Sequence, residues 1–210
     1  MKFITIPVTA FEQNCSIVWC DQTGVGAVID PGGEPNAIAA EIHRHDIHLE
    51  KILITHPHID HVGAAADLAE RFSAVIEGPH KEDEFWIEAL PQQAQMFNLP
   101  PARKFKPQRW LQDGDTVSFG NILLNVYHCP GHTPGHVVFF DEKHRVAFVG
   151  DALFRGSIGR TDFPRGDHAA LLHSIHTRLL PLGDDVTFVP GHGPNSTFGL
   201  ERRTNPFLNA

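Results

Sequence analysis

Disulfide chemistry has almost no material in this chain, whose only cysteines are Cys15, Cys20 and Cys129. Three thiols cannot build a disulfide framework, and an odd number suits a reducing compartment. Long apolar runs are missing too. No stretch approaches the roughly 18–20 residues that cross a bilayer. The opening Met1-Lys2-Phe3-Ile4-Thr5-Ile6-Pro7 has neither an extended apolar segment nor a cleavage site. A cytoplasmic protein with no membrane partner is therefore expected. Positive charge is in the minority, with 17 Lys and Arg against 25 Asp and Glu and a formal net charge of −8. That balance argues against nucleic acid as a partner. Low-complexity segments, blocks of like charge and short repeats are also absent.

Histidine, in contrast, is plentiful at 15 residues. Three of them fall in one window, His56-Pro57-His58-Ile59-Asp60-His61. Imidazole and carboxylate are the side chains that hold zinc and similar divalent ions. The spacing belongs to a loop, not to a helical i, i+4 pair. In extended backbone alternate side chains point the same way. His56 and His58 are thus expected to converge on one ion, with Asp60 and His61 facing a second position nearby. The window reads as half of a two-metal hydrolytic site.

Three later segments supply the other half. The run Ile122–Tyr127 leads to Pro130-Gly131-His132-Thr133-Pro134-Gly135-His136, Val146–Val149 leads to Gly150-Asp151, and Val186–Val189 leads to Pro190-Gly191-His192-Gly193. The first window itself follows Ile52-Leu53-Ile54-Thr55. All four candidate loops therefore sit just beyond the C-terminal end of a buried-type strand, where open α/β sheets place their sites. The set is His56, His58 and His132 on one metal and Asp60, His61 and His192 on the other, with Asp151 bridging.

The length of 210 residues fits one domain spanning 1–210, with 41% hydrophobic and 20% charged residues as in ordinary globular proteins. Ser16–Cys20 and Val25–Asp30 flank a Gln22-Thr23-Gly24 turn and predict a hairpin. A helix is expected over Pro35–Asp46, where Ile38 and Ile42 share a face, and a strand over Lys51–Thr55. Helix Gly63–Phe72 carries an alanine run that would let it approach the site, and Ala74–Ile76 follows as a strand. His80–Phe97 is helical by composition but broken near Pro91. Phe119-Gly120-Asn121-Ile122 predicts a second hairpin, and Asp167–Leu180 a late helix. Strands and helices thus occur in both halves, each contributing ligand loops. The pattern suits a sandwich of two sheets with helices outside and one metal site in the groove between halves.

Most other histidines have plainer readings. His43, His45 and His48 belong to a solvated face, and His173 and His176 to a helix surface. His80, His144 and His168 sit near turns without a partner at ligand spacing. His128 and His136 flank the second loop, where one can support a ligand and a packing role is an equal alternative. Cys129, near His132, is read as a small buried hydrophobe.

With those motifs in hand, the chain resembles the metallo-β-lactamase-fold hydrolases, whose H-x-H-x-D-H motif stands here as His56 to His61 and whose later ligands stand as His132, Asp151 and His192. The resemblance implies an α/β fold, an αββα sandwich of two mixed sheets with helices outside. Within that superfamily the chain is similar to short bacterial glyoxalase II, the hydroxyacylglutathione hydrolases. It implies two divalent ions, zinc as the first expectation and iron or manganese as alternatives, and a small-molecule thioester such as S-lactoylglutathione as substrate. Asp151 between the ions would let them share a hydroxide for attack on the thioester carbonyl, with Asp60 orienting it or accepting its proton. A thiol leaving group, with a pKa near 8.5, needs no general acid.

Gly150–Phe154 with Gly159–Phe163 resembles both glyoxalase II and the mononuclear-iron persulfide dioxygenases. The latter tend to carry cysteine at the position of His136. Lactone or phosphodiester hydrolysis and a non-catalytic metal-binding role are the remaining alternatives. The basic C-terminal extension of long-form glyoxalase II is not expected here. The lysine and tyrosine that contact glutathione there are replaced by Arg160 and Asp162. Arg155, Arg160 and Arg165 crowd the segment after Asp151, so Arg155 or Arg160 is expected to hold a substrate carboxylate. The plainer reading of Arg160 is a pair with Asp162 that fixes the loop. Oligomeric state is not legible in the sequence.

Overall fold

A computed structural model describes residues 1–209. The first sheet holds β1 (Lys2–Val8), β2 (Gln13–Trp19), β3 (Val25–Ile29), β4 (His48–Leu53) and β5 (Val75–Glu77) in that order. Its first two junctions are antiparallel and its last two parallel. The second sheet is built from β6 (Thr116–Phe119), β7 (Ile122–His128), β8 (Val137–Asp141), β9 (Val146–Gly150), β12 (Thr187–Pro190) and β13 (Ser196–Thr197). Its spatial order is β13-β12-β9-β8-β7-β6, with one parallel junction, β9 to β12. A two-stranded ribbon, β10 (Leu153–Phe154) and β11 (Ser157–Ile158), lies between β9 and β12 in sequence.

Alternation along the strands explains the layering. Side chains of successive residues leave opposite faces, and here both faces are apolar, as in sheets covered on both sides. Val18, Ala27, Ile29 and Leu53 of the first sheet meet Phe139, Phe148 and Val189 of the second in one buried cluster. Their neighbours Ile17, Val28 and Ile52 face the other way, into a cluster with Ile38, Ile42 and Leu68. Those three lie on α1 (Pro35–Arg44) and α3 (Ala65–Phe72). On the far side Val138, Phe140 and Val149 pack on Leu171, from α6 (His168–Ser174), and on Ile175 and Leu179. Three apolar clusters between four layers make the expected αββα sandwich. Burial of a Val, Leu, Ile or Phe contributes about 1.5–3 kcal/mol each, so the strands' two-sided burial is the main stabilising term.

Both expected hairpins form, through Cys20–Gly24 and through Gly120-Asn121. The region His80–Phe97 resolves into a turn of tight helix at Lys81–Asp83, α4 (Glu84–Glu88) and α5 (Leu90–Phe97), with Pro91 in the first turn of α5. Proline there loses no hydrogen bond, since the first-turn N–H groups have no helical partner. The expected helix Asp167–Leu180 is less regular: α6 is capped by Asp167 and passes into a wider turn at Ile175–Leu179 and a tighter one at Leu180–Leu182. A short α7 (Phe198–Thr204) follows β13. No helix among the described residues is long and apolar enough to cross a membrane.

Candidate metal centre

All four candidate loops follow their strands. β4, β7, β9 and β12 end at Leu53, His128, Gly150 and Pro190, and the first ligand candidate of each loop (His56, His132, Asp151 and His192) lies one to four residues beyond. One expectation is corrected. The extended backbone continues only through His58 (φ −66°, ψ 145°), and Asp60 and His61 project from one turn of helix, α2 (Ile59–Val62). Two contacts select the helical turn. Buried Ile59 N–H donates to Gln93 Oε1 at 3.0 Å, and the backbone packs against Gly32, where a Cβ would lie 1.5 Å from Asp60 O. Gly32 and Gly63 also allow close packing here: a Cβ at Gly63 would meet Gly32 O at 2.4 Å.

The predicted ligands form two groups. Donor atoms of His56, His58 and His132 lie within 4.8 Å of one another, as do those of Asp60, His61 and His192. Asp151 stands between them. Its Oδ1 is 3.3 Å from His61 Nε2, and its Oδ2 is 3.6 Å from His132 Nε2 and 3.7 Å from His192 Nε2. A Cβ on Gly191 would sit 2.1 Å from Asp151 Oδ1, so only glycine leaves this space open.

Hydrogen bonds on the far ring nitrogens aim the near ones inward. His132 Nδ1–H donates to Arg160 O at 2.8 Å, and His192 Nδ1–H to Phe11 O at 3.0 Å. His61 Nδ1–H donates to Asp30 Oδ2 at 2.9 Å. Thr55 gives its N–H to Asp30 Oδ1 at 2.7 Å and its hydroxyl to Asp30 Oδ2 at 2.5 Å. The Thr55 oxygen then accepts from His56 Nδ1 at 3.1 Å. This is how metal-binding histidines are oriented. His56 Nε2, His61 Nε2 and Asp151 Oδ1 are left buried without a hydrogen-bond partner. His58 Nδ1 and His132 Nε2 are 3.0 Å apart. With His132 Nδ1–H committed to Arg160 O, two ring nitrogens so close call for a proton or a cation between them. Each unpaired buried group costs about 1–3 kcal/mol, and cations at the two groups would satisfy them together. The nitrogen and oxygen donors fit zinc, iron or manganese.

Among the side chains alone, burial drives the pKa of His56 and His58 well below the ordinary imidazole value, aided by neighbouring imidazoles. Burial lowers His132 as well. Burial pulls His61 down most, yet Asp151 and Asp60 together outweigh it and raise the value. His192 is likewise raised against its burial, chiefly through Asp60 and Asp151. Burial opposes ionisation of Asp151, but His61, His132 and His192 hold it below the usual carboxylate range. Metal ions would replace the protons these carboxylates attract.

Several positioning residues escaped sequence reasoning. Asp30 supports His61 directly and His56 through Thr55. Gln93, buried at 4% exposure, also donates to Pro57 O and Trp86 O and ties α5 to the motif. Asp83 accepts from Thr133 Oγ1 and Gly135 N, both at 2.6 Å, and so pins the His132 loop. His136 is the supporting histidine: its Nε2 accepts from Asp151 N–H at 3.1 Å and its ring stacks on His56. His128 instead donates to Pro134 O and stacks on His80. Cys129 is fully buried in the cluster beneath α6, outside both ligand groups. Arg160 makes the plainer contact, two 2.6 Å hydrogen bonds to Asp162, and lies over Phe163. Arg165 pairs with Glu82. Arg155 is exposed, has no ion pair among the described residues and lines a groove beside Asp151 and His192.

The fold and these ligand groups are those of a metallo-hydrolase, and the chain belongs to the metallo-beta-lactamase superfamily, whose description matches residues 8–192. Among curated proteins it is 49% identical over 211 residues to hydroxyacylglutathione hydrolase GloC of Haemophilus influenzae, across 100% of this chain and 99% of that protein. Among solved structures it superposes on BLEG-1 B3 metallo-beta-lactamase with a TM-score of 0.92 at 35% identity, covering 100% of both chains. It also superposes on TTHA1623 in a di-iron-bound form with a TM-score of 0.89 at 38% identity, covering 98% of this chain and 100% of that one.

Proposed function

We propose that this chain is a metal-dependent hydrolase of thioesters of the hydroxyacylglutathione type, cleaving S-lactoylglutathione to the hydroxy acid and free thiol. The observation that carries the reading is the end-to-end likeness to the Haemophilus influenzae hydrolase on a chain whose two ligand groups both touch Asp151. His56, His58 and His132 would hold one divalent ion, Asp60, His61 and His192 the other, and Asp151 would serve both. Zinc is the first candidate, with iron and manganese fitting the same donors. When bound, such ions polarise a carbonyl and lower the pKa of water from 15.7 to about 7.

The chain's own residues supply the remainder. Asp60 lines the cavity with Oδ2 3.3 Å from His192 Nε2; it orients the attacking water and takes its proton. Water oxygen bonds to the carbonyl carbon, the C–S bond breaks, and the sulfur leaves as thiolate. Arg155, unpaired at the open groove, holds a carboxylate of the thiol arm, while Arg160 fixes the loop through Asp162.

Anaerobic incubation of metal-replete protein with S-lactoylglutathione should release free thiol. Oxygen consumption with glutathione persulfide and no anaerobic thiol release would transfer the assignment to a dioxygenase.

A further inference from the structure

Two cavities that differ in their charged lining meet at the candidate metal centre. One, about 460 Å³, is walled by Phe11, Trp86, Met96, Phe97 and Phe163. The other, about 470 Å³ and more open, adds Arg155 and Ser157 to an apolar lining of Phe154, Ile158 and Pro194. His132, Asp151, Arg160 and His192 line both, so a carbonyl held there has one cavity for each arm of a thioester.

Charge decides which arm goes where. An ionised carboxylate among aromatic rings, without a cation, is strongly disfavoured. Arg160, the one guanidinium on the apolar cavity, already spends two hydrogen bonds on Asp162 and stacks on Phe163 at 4.2 Å. A carboxylate-bearing thiol therefore takes the Arg155 groove, and the apolar cavity is left to the acyl group. A three-carbon hydroxyacyl group fills little of a space whose size falls in the range of drug-sized ligand pockets. It would also leave Met96, 76% exposed, and Phe11, 44% exposed, facing water at the mouth. Met96 sits on α5, which Gln93 ties to the metal motif, and Phe11 packs edge-on against Phe97. Methionine adapts its shape to variable apolar ligands.

We propose that the cavity walled by Trp86, Met96 and Phe163 is an acyl site, and that the preferred substrates are thioesters of bulky apolar acyl groups, medium-chain or aromatic, over lactoyl. This rests on the thioester hydrolase reading. The reaction balance is unchanged: water adds to the acyl carbon, the C–S bond breaks, and carboxylate, thiolate and protons are released.

The test keeps the thiol constant. Acetyl-, lactoyl-, hexanoyl- and benzoylglutathione are compared by kcat/KM on metal-replete protein, and each added methylene should raise kcat/KM about fourfold until the cavity is full. Met96→Glu, at an exposed position that tolerates charge, and Phe163→Ala should each lower the hexanoyl-to-acetyl ratio by about tenfold or more, since they add charge to or remove apolar wall from the site. Binding of acetate, hexanoate and benzoate to the same proteins is measured calorimetrically as a readout apart from turnover. Hexanoate and benzoate should bind more tightly than acetate, and Met96→Glu should erase the difference. Thiol release that is indifferent to chain length, or fastest with lactoyl, overturns the acyl site and leaves the hydrolase standing. Absence of thiol release from every acylglutathione removes the hydrolase reading. The site then stands as an apolar chain-binding cavity beside the ligand groups if hexanoate binds more tightly than acetate, and falls if the two bind alike.

Discussion

The two ligand groups differ in depth and in charge. His56, His58 and His132 are 0%, 7% and 2% exposed and contain no carboxylate. In the second group His61 is equally buried, but the side chains of Asp60 and His192 remain 16% and 27% exposed and line the cavity. Burial keeps the first group neutral, which is the form that binds metal. The second group combines an anion with access to solvent. An ion on the first group would be held more deeply, and one on the second would stay more open to water. Asp151, within 3.7 Å of both groups, makes them one centre.

The largest effect that can break this comparison is Asp151→Ala. It should abolish thioester turnover and release metal from both positions, read as a fall from two ions per chain by elemental analysis. Active, metal-replete wild-type protein with one ion would end the two-position account. His192→Ala comes next and should be selective, removing the outer ion while the inner one stays. Loss of both ions from this variant would mean that the positions are not separable.

Asp30→Asn should act on both groups more gently, because Asp30 aims His61 directly and His56 through Thr55. An orienting partner of this kind is worth about 10–100-fold in metal affinity or activity. Competition with a chromophoric chelator should show the loss in both binding steps; loss in one alone would narrow Asp30 to a single group.

The smallest effect belongs to Asp83, which holds the loop of His132. Burial raises its carboxyl to about 7, with the hydrogen bonds from Thr133 and Gly135 opposing the shift. The unfolded chain gives up the same proton near pH 4. The folded state thus holds an extra proton between these values, so the contribution is complete at acid pH and is lost as pH rises through about 7. Thermal midpoints of Asp83→Asn between pH 4 and 8 should vary less steeply than those of wild type. Parallel curves would place the titration elsewhere.

How far the chain could be read in advance follows from the range of each interaction. The strand–loop order and the donors that gather into two groups were legible because each rests on neighbours in sequence. The helical turn at Asp60 and His61 was not, since it depends on Gln93, 34 residues away from Ile59, and on the close approach of Gly32. Arg160 paired with Asp162 two residues away, a local contact that sequence allows. The openness of Arg155 required knowing what surrounds it.

By itself the sequence determined which donors exist and in what order, because donor type and short spacing are local properties. Tertiary structure alone decided how closely Asp151 approaches each group, 3.3 to 3.7 Å. It also decided that Asp30 reaches His61 across 31 residues and that Asp83 reaches Gly135 across 52. Trp86, Met96 and Phe163 likewise became one wall beside the two ligand groups only through folding. These are contacts between segments whose separation no local pattern encodes, fixed when the two sheets bury their shared apolar faces.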